Sequence, residues 1–268
     1  MASMKKITTS TLMQQKSSGE KIVVSTCYDA SFATILEEQG VEVLLVGDSL
    51  GMVFQGMEST LPVSLDAMVY HTQCVSRGRK SALLVTDMPF MSYSSPALAL
   101  ETAARILKEG GAHMVKLEGG STQLETVSRL TDYGIPVCAH LGLLPQSVHK
   151  LGGYKVQGRD AGSAAAIRED ALALQEAGAQ MLVLECVPAT LAAEVTAELK
   201  IPVIGIGAGP DCDGQVQVVY DMLGITRGQV PSFAQNFLLG AASIEEAVAL
   251  YVKAVKSGTF PAESQSFK

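Results

Sequence analysis

Charge is scarce in this chain. Lys, Arg, Asp and Glu make up 18% of its 268 residues, against roughly 25% in an average globular protein. So little charge leaves less free surface than a monomer of this size presents, and a homo-oligomer is expected. The charge that exists is acidic on balance, with a formal net of -7. That excludes nucleic acid as a general partner, because phosphate contacts select basic surfaces. A small anionic substrate needs only a local positive site and stays open. No apolar run approaches the roughly 20 residues of a membrane span, so no membrane partner is expected. Cysteine is sparse too: Cys27, Cys74, Cys138, Cys186 and Cys212 are odd in number and show no C-x-x-C spacing. This excludes a disulfide framework and favours a reducing compartment. The first sixteen residues hold Lys5, Lys6 and Lys16 with no acid, no Arg and no apolar h-region. A secretory signal is not read there, and the cytoplasm is preferred to a transit-peptide destination.

Two nucleotide signatures are also missing. No G-x-G-x-x-G follows the first apolar run and no G-x-x-x-x-G-K-[ST] occurs, which argues against an open dinucleotide fold and a P-loop. What is present is a repeated plan. Glu37-Glu38-Gln39-Gly40 leads into VEVLLVGD, Lys108-Glu109-Gly110-Gly111 into AHMVKLE, and Glu176-Ala177-Gly178 into AQMLVLE. Each is a helix tail, a glycine that stops it, and an apolar run too short for another helix. Runs rich in Val and Leu with little polar alternation suit strands buried on both faces. Ile135-Pro136 before VCAHLG and Ile201-Pro202 before VIGIGAG mark two more, and KIVVSTCYD and SALLVTDMP bring the visible strands to seven. Amphipathic stretches lie between them, with Phe32, Ile35 and Leu36 on one face, and likewise Leu191, Val195 and Leu199. Such alternation in a chain of this length predicts an α/β protein with one parallel sheet, a single (βα)8 barrel spanning 1–268. The eighth strand is expected near Leu223–Thr226.

The strand ends carry unusual chemistry: Asp48 and Ser49, Asp87, Lys116 and Glu118, His140, and Glu185. Barrel active sites form at the C-terminal strand ends, which converge, and Lys116 and Glu118, two apart, point to the same face. Each residue also has a plain structural reading, the acids as helix N-caps and Lys116 as a partner for Glu118. Crowded carboxylates repel at low dielectric, and a hard cation resolves this: Mg2+ prefers oxygen and keeps positions for water and substrate. Asp48, Asp87 and Glu118 suit that role. Glu185, preceded by apolar Met181–Leu184, is placed for a carboxyl pKa raised by desolvation and for general-base work. Lys116 would hold a substrate carboxylate or an oxyanion. This amounts to metal-assisted proton abstraction beside a carbonyl. Gly205–Gly209 reads as a phosphate cradle or, better, a tight turn. Residues 145–163 read as a lid or a mobile loop, His71, His113 and His149 as structural or surface groups, and Cys186 as a packed thiol.

The blocks LLVGDSLGMVFQGMESTLPVSLDAMVYHT, TDMPFMSY, MVKLEGG, PVCAHLGLLPQSV, GGYKVQGR, LVLECVP and PVIGIGAG together resemble the ketopantoate hydroxymethyltransferase family, from about Thr11 to Phe267. Residues 1–10 fall outside the resemblance, as a variable or disordered N-terminus. The resemblance implies a TIM barrel of the phosphoenolpyruvate mutase and isocitrate lyase superfamily. It implies Mg2+-dependent transfer of a hydroxymethyl group from 5,10-methylenetetrahydrofolate to 3-methyl-2-oxobutanoate, giving 2-dehydropantoate on the way to pantothenate. Metal-site acids map to Asp48, Asp87 and Glu118, substrate contacts to Asp48, Ser49, Asp87 and Lys116, and the proton acceptor to Glu185. His140 matches a pocket histidine and is counted with the substrate contacts. Family members are cytoplasmic and commonly decameric. Two rivals stand beside this reading: a carbon–carbon lyase of the same superfamily, against which the missing KKCGH-like loop speaks, and a keto-acid-binding protein without catalysis, against which the intact base speaks.

Overall fold

Strand and helix alternate through residues 6–268, the part of the chain that the computed structural model describes. The strands are β1 (Ile22–Thr26), β2 (Val43–Val46), β3 (Leu83–Asp87), β4 (Met114–Glu118), β5 (Val137–Gly142), β6 (Met181–Glu185), β7 (Val203–Ile206) and β8 (Gly214–Gln217). All pair in parallel with their chain neighbours, and β8 pairs with β1, closing the barrel. The helices are α1 (Thr9–Ser18), α2 (Ala30–Glu38), α3 (Leu50–Val53), α4 (Leu65–Gly78), α5 (Pro96–Arg105), α6 (Leu124–Asp132), α7 (Val148–Leu151), α8 (Ala161–Glu176), α9 (Ala189–Glu198), α10 (Val219–Met222) and α11 (Ile244–Lys256). None is long and apolar enough to cross a membrane. All five cysteines are free.

Seven strands fall where the sequence places them, five after glycine or proline stops and two as the apolar runs KIVVSTCYD and SALLVTDMP. The eighth departs from the expectation at Leu223–Thr226, which instead follows α10 as a turn. β8 is the segment GQVQ, and its polar letters hide it from a search for apolar runs. Its glutamines are buried because their amides are satisfied, Gln215 Nε2 donating to Gly209 O at 2.9 Å and Gln217 Nε2 to Gln235 O at 2.5 Å. The β8–β1 seam is closed from outside by Tyr251 of α11, whose hydroxyl lies 2.7 Å from Val24 O and 3.0 Å from Gln215 O.

Period-two alternation divides each strand between two cores. Outward residues such as Leu44, Leu84, Val115, Leu117, Ala139 and Leu182 pack against the helices. Inward residues, among them Val24, Val43, Leu45, Val85, Met114, Cys138 and Val183, fill the barrel. Of the N-terminal stretch expected to vary, residues 1–5 lie outside the described residues. The remainder is built in: Ile7 N donates to Ser81 O at 2.9 Å, and the Thr8 side chain caps α1. Leu12 of α1, 1% exposed, joins the inner core. It does so at the end where strands begin, since Lys16 pairs with Asp213 at 2.6 Å, just ahead of β8.

Leu12→Ala tests whether α1 stoppers the barrel. Truncating a fully buried leucine should cost about 2–5 kcal/mol, read as a lowered urea midpoint; an unchanged midpoint would show that α1 is dispensable to the core.

Candidate active site

Where the inner rows leave the apolar plug they turn ionisable. Asp87 follows Val85, Lys116 follows Met114, His140 follows Cys138 and Glu185 follows Val183, each two residues on, and Glu118 comes two residues after Lys116. With Asp48 and Ser49, just past β2, these side chains line one cavity of about 710 Å³. The structure therefore brings together all seven candidate residues. Asp48, Asp87, Lys116, Glu118 and His140 are each 5% exposed or less.

The polar contacts are specific. Lys116 Nζ donates to Asp87 Oδ1 at 2.7 Å, and the Asp48 backbone N–H donates to Asp87 Oδ2 at 3.0 Å. Lys116 thus pairs with Asp87, and the plainer expectation of a Lys116–Glu118 pair is not met. Capping does not account for the acids either: the N-cap of α3 is Ser49, with no side-chain cap bond, and α5 is capped by Ser95. Ser49 Oγ instead shares a 2.9 Å hydrogen bond with the Tyr28 hydroxyl. Burial, then the charges of Asp87 and Glu118, push the Asp48 carboxyl up to about 8. Burial works against the Lys116 ammonium, but Asp87, Glu118 and Asp48 outweigh it and raise its pKa, so the cation persists.

His140 stands between two acids. Its Nδ1 is 3.6 Å from Glu118 Oε1, and its Nε2 is 3.2 Å from Glu185 Oε2. Burial and Lys116 favour the neutral ring, yet the two carboxylates prevail and the imidazole pKa is raised. The desolvation expected of Glu185 is incomplete: its side chain is 16% exposed and faces the cavity. Backbone geometry sets its position. Gly142, at φ +92°, is required beside it because a Cβ there would lie 2.2 Å from Glu185 O. Cys186, next in the chain, takes the left-handed φ of 47°; its thiol is 5% exposed and burial pushes its pKa up, as expected of a packed group.

Among the described residues no three acid, imidazole or thiolate side chains converge closely enough to enclose a metal by themselves. The donor set nonetheless fits a hard cation that keeps water ligands. It consists of carboxylate oxygens, Glu118 Oε1 is buried with no hydrogen-bond partner among the described residues, and Asp48 is held among like charges.

Other expectations resolve by packing. A Cβ at Gly207 would meet the Phe233 ring at 2.8 Å, and one at Gly209 would meet Ala189 at 2.5 Å. The glycines therefore serve close packing, not a phosphate cradle. Residues 145–163 include α7, contribute Tyr154 and Val156 to the cavity wall, and are tied by Gln157 N to Cys186 O at 2.9 Å. His71 Nδ1 donates to the Tyr28 carbonyl at 2.8 Å, and burial with Arg79 holds His113 down to about 4. His149 is exposed.

Gln146 escaped the sequence reading, because a glutamine in a turn after a strand carries no periodic signal. Its Nε2 donates to Asp48 Oδ2 at 2.8 Å and Met88 O at 3.0 Å, and its backbone N–H donates to Glu118 Oε2 at 3.0 Å. Its Oε1 accepts from the Tyr93 hydroxyl, which orients the amide.

Known proteins bear on this geometry. The sequence model of a family described as ketopantoate hydroxymethyltransferase matches residues 6–263. A 3-methyl-2-oxobutanoate hydroxymethyltransferase from Nitrosococcus oceani is 61% identical over 258 residues, covering 96% of this chain and 98% of that protein. The fold is shared with 2,3-dimethylmalate lyase, a PEP mutase/isocitrate lyase superfamily member, at a TM-score of 0.57 and 16% identity over 81% of this chain and 80% of that one. It is shared also with phosphonopyruvate hydrolase solved with oxalate and Mg2+, at a TM-score of 0.62 and 11% identity over 82% and 84% of the two chains.

Gln146→Glu would set a carboxylate against Asp48 and the Met88 carbonyl in place of two donors. The variant should lose about 1.5–3 kcal/mol, the usual worth of hydrogen bonds to charged groups. Urea unfolding at neutral pH measures this, and wild-type stability would mean that Gln146 does not organise the cluster.

Proposed function

The chain belongs to the ketopantoate hydroxymethyltransferase family, and we propose that it transfers a hydroxymethyl group from 5,10-methylenetetrahydrofolate to 3-methyl-2-oxobutanoate. The observation that carries this reading is the gathering of Asp48, Asp87, Lys116, Glu118, His140 and Glu185 in one cavity at the strand tips. In the overall change the keto acid's C3–H bond breaks and C3 bonds to the methylene carbon. Water supplies the hydroxyl, and tetrahydrofolate leaves.

Asp48 and Asp87, with Glu118, would hold Mg2+. Bound there, it supplies positive charge that polarises the keto acid's oxygens and eases loss of the C3 proton. Lys116, kept charged by the acids around it, offers the substrate carboxylate a cation. Ser49, steadied by Tyr28, offers a hydroxyl. Glu185 accepts the C3 proton at a carboxylate oxygen, leaving an enolate to attack the methylene carbon. His140, 3.2 Å from Glu185, orients that carboxylate and faces the substrate. Burial of the cluster keeps water from competing for these charges, which strengthens each contact.

Hydrogen exchange isolates the proton transfer. With Mg2+ and no folate, the wild type should exchange the C3 hydrogen of 3-methyl-2-oxobutanoate with deuterated water, and chelator or Asp87→Ala should stop it. Glu185→Gln should still bind keto acid within about tenfold while exchange falls by roughly 10²–10⁴, the usual worth of a general base. Exchange at the wild-type rate in that variant would remove Glu185 from the role.

Self-association belongs to the same reading. Phe54 is 51% exposed, Tyr70 61% and Met91 57%, and covering such side chains favours an assembly. Light scattering should give a mass several times 28.2 kDa; a monomer at micromolar concentration would contradict it.

A further inference from the structure

The groups assigned above occupy only part of the cavity. They come from the tips of β2 to β6, whereas the wall also includes Val218, Asp221, Thr226, Phe233 and Phe267, from the β8 end, the segment after α10 and the C-terminus. A volume of about 710 Å³ lies in the range that takes a drug-sized molecule, and a five-carbon keto acid fills a small part of it.

Asp221 is the chemically distinctive group on the second side. It sits on α10 and is 5% exposed. Its Oδ1 accepts from Thr226 Oγ1 at 2.6 Å, and no ion pair to it is formed among the described residues. A carboxylate has room for about four hydrogen bonds, and one hydroxyl uses a single position. Burying a charge this deeply without a cation is costly unless donors meet it. Burial accordingly raises its carboxyl pKa, against the opposing effect of Thr226. Aromatic surface is available on the same side. Phe233 and Phe267 pack edge to face, with centroids 6.3 Å apart and planes at 76°. Phe233 lies so close over Gly207 that a Cβ there would clash at 2.8 Å.

We propose that Asp221 is the recognition group of a second subsite in this cavity, one that takes a flat heterocycle presenting adjacent N–H donors. The inference rests on the function proposed above, under which that heterocycle is the ring system of the one-carbon donor. Its exocyclic amino group and neighbouring ring N–H match the paired oxygens of a carboxylate. A flat ring anchored at the β8 side has apolar and aromatic wall beside it, in Val218, Phe233 and Phe267. The donor would thus approach the keto acid from the side opposite the Asp87–Lys116 pair. Thr226 has a different part, orienting the Asp221 carboxylate and tying down the segment after α10.

Calorimetric titration with tetrahydrofolate tests this. Asp221→Asn keeps the shape but replaces one acceptor oxygen with a donor, and affinity should fall about 10- to 100-fold, the worth of hydrogen bonds to a charged group. Keto-acid binding with Mg2+ serves as the check that the variant is folded. Thr226→Val removes the tie and leaves the carboxylate, so its loss of affinity should be clearly smaller. A tetrahydropterin analogue without the exocyclic amino group should bind the wild type more weakly than its parent and lose this difference in Asp221→Asn, as expected of directly interacting partners. Equal tetrahydrofolate affinity in wild type and Asp221→Asn overturns the subsite alone, and an equal loss in Thr226→Val and Asp221→Asn assigns Asp221 to loop structure instead. A wild type that exchanges the keto-acid hydrogen but binds no tetrahydrofolate overturns the donor reading, and the subsite with it.

Discussion

The ion pair between Lys116 and Asp87, 2.7 Å long and almost wholly buried, is the interaction around which the strand tips are arranged. Two charges taken out of water lose hydration that their mutual attraction barely repays unless their remaining lone pairs and protons are met. Asp87 meets that condition by accepting from the Asp48 backbone as well. The surplus of acid then falls on Asp48 and Glu118, which share Gln146. Such a cluster stabilises the fold poorly by itself, because like charges repel and Glu118 Oε1 lacks a hydrogen bond among the described residues. It is an arrangement that gains from a cation, and that need links the packing of the site to its proposed chemistry.

The backbone bears part of the same constraint. Glu185 ends β6, and the next residue, Cys186, adopts a left-handed φ of 47°, a conformation uncommon outside glycine. Opposite it, Gly142 lets β5 come so near that a side chain would collide with Glu185 O. Local strain of this kind concentrates where surrounding structure over-determines a functional geometry. The apolar plug below supplies that structure. Met114, Cys138 and Val183 fill the barrel beneath Lys116, His140 and Glu185, so the ionisable ends stand on close-packed rows rather than on loops.

Seven strands were legible because their signals are local. A glycine or proline stop followed by Val- and Leu-rich residues needs no knowledge of neighbours. β8 was not, since Gln215 and Gln217 are buried only by virtue of carbonyls at Gly209 and Gln235. The candidate residues were legible as strand-end chemistry, and their assembly in one cavity follows from barrel closure. Gln146 had no such marker, and neither did Asp221, a lone acid in a short helix among apolar letters. The glycines of Gly205–Gly209 show the reverse case, a sequence feature with two readings that the rings and methyls packed against them decide.

By itself the sequence determined the alternation of strand and helix, the inward row on which Lys116 and Glu118 both lie, and the presence of acids, a lysine and a histidine at strand ends. These are consequences of period and of stop residues, which act over a few positions. Only the tertiary structure decided that Lys116 pairs with Asp87 and not with Glu118, and that Gln146 reaches Asp48 across 98 positions of chain. Such pairings depend on strand register and on closure of the sheet between β8 and β1. No local pattern encodes them, because a hydrogen bond in a buried cluster is made by whichever groups the packed backbone brings within reach.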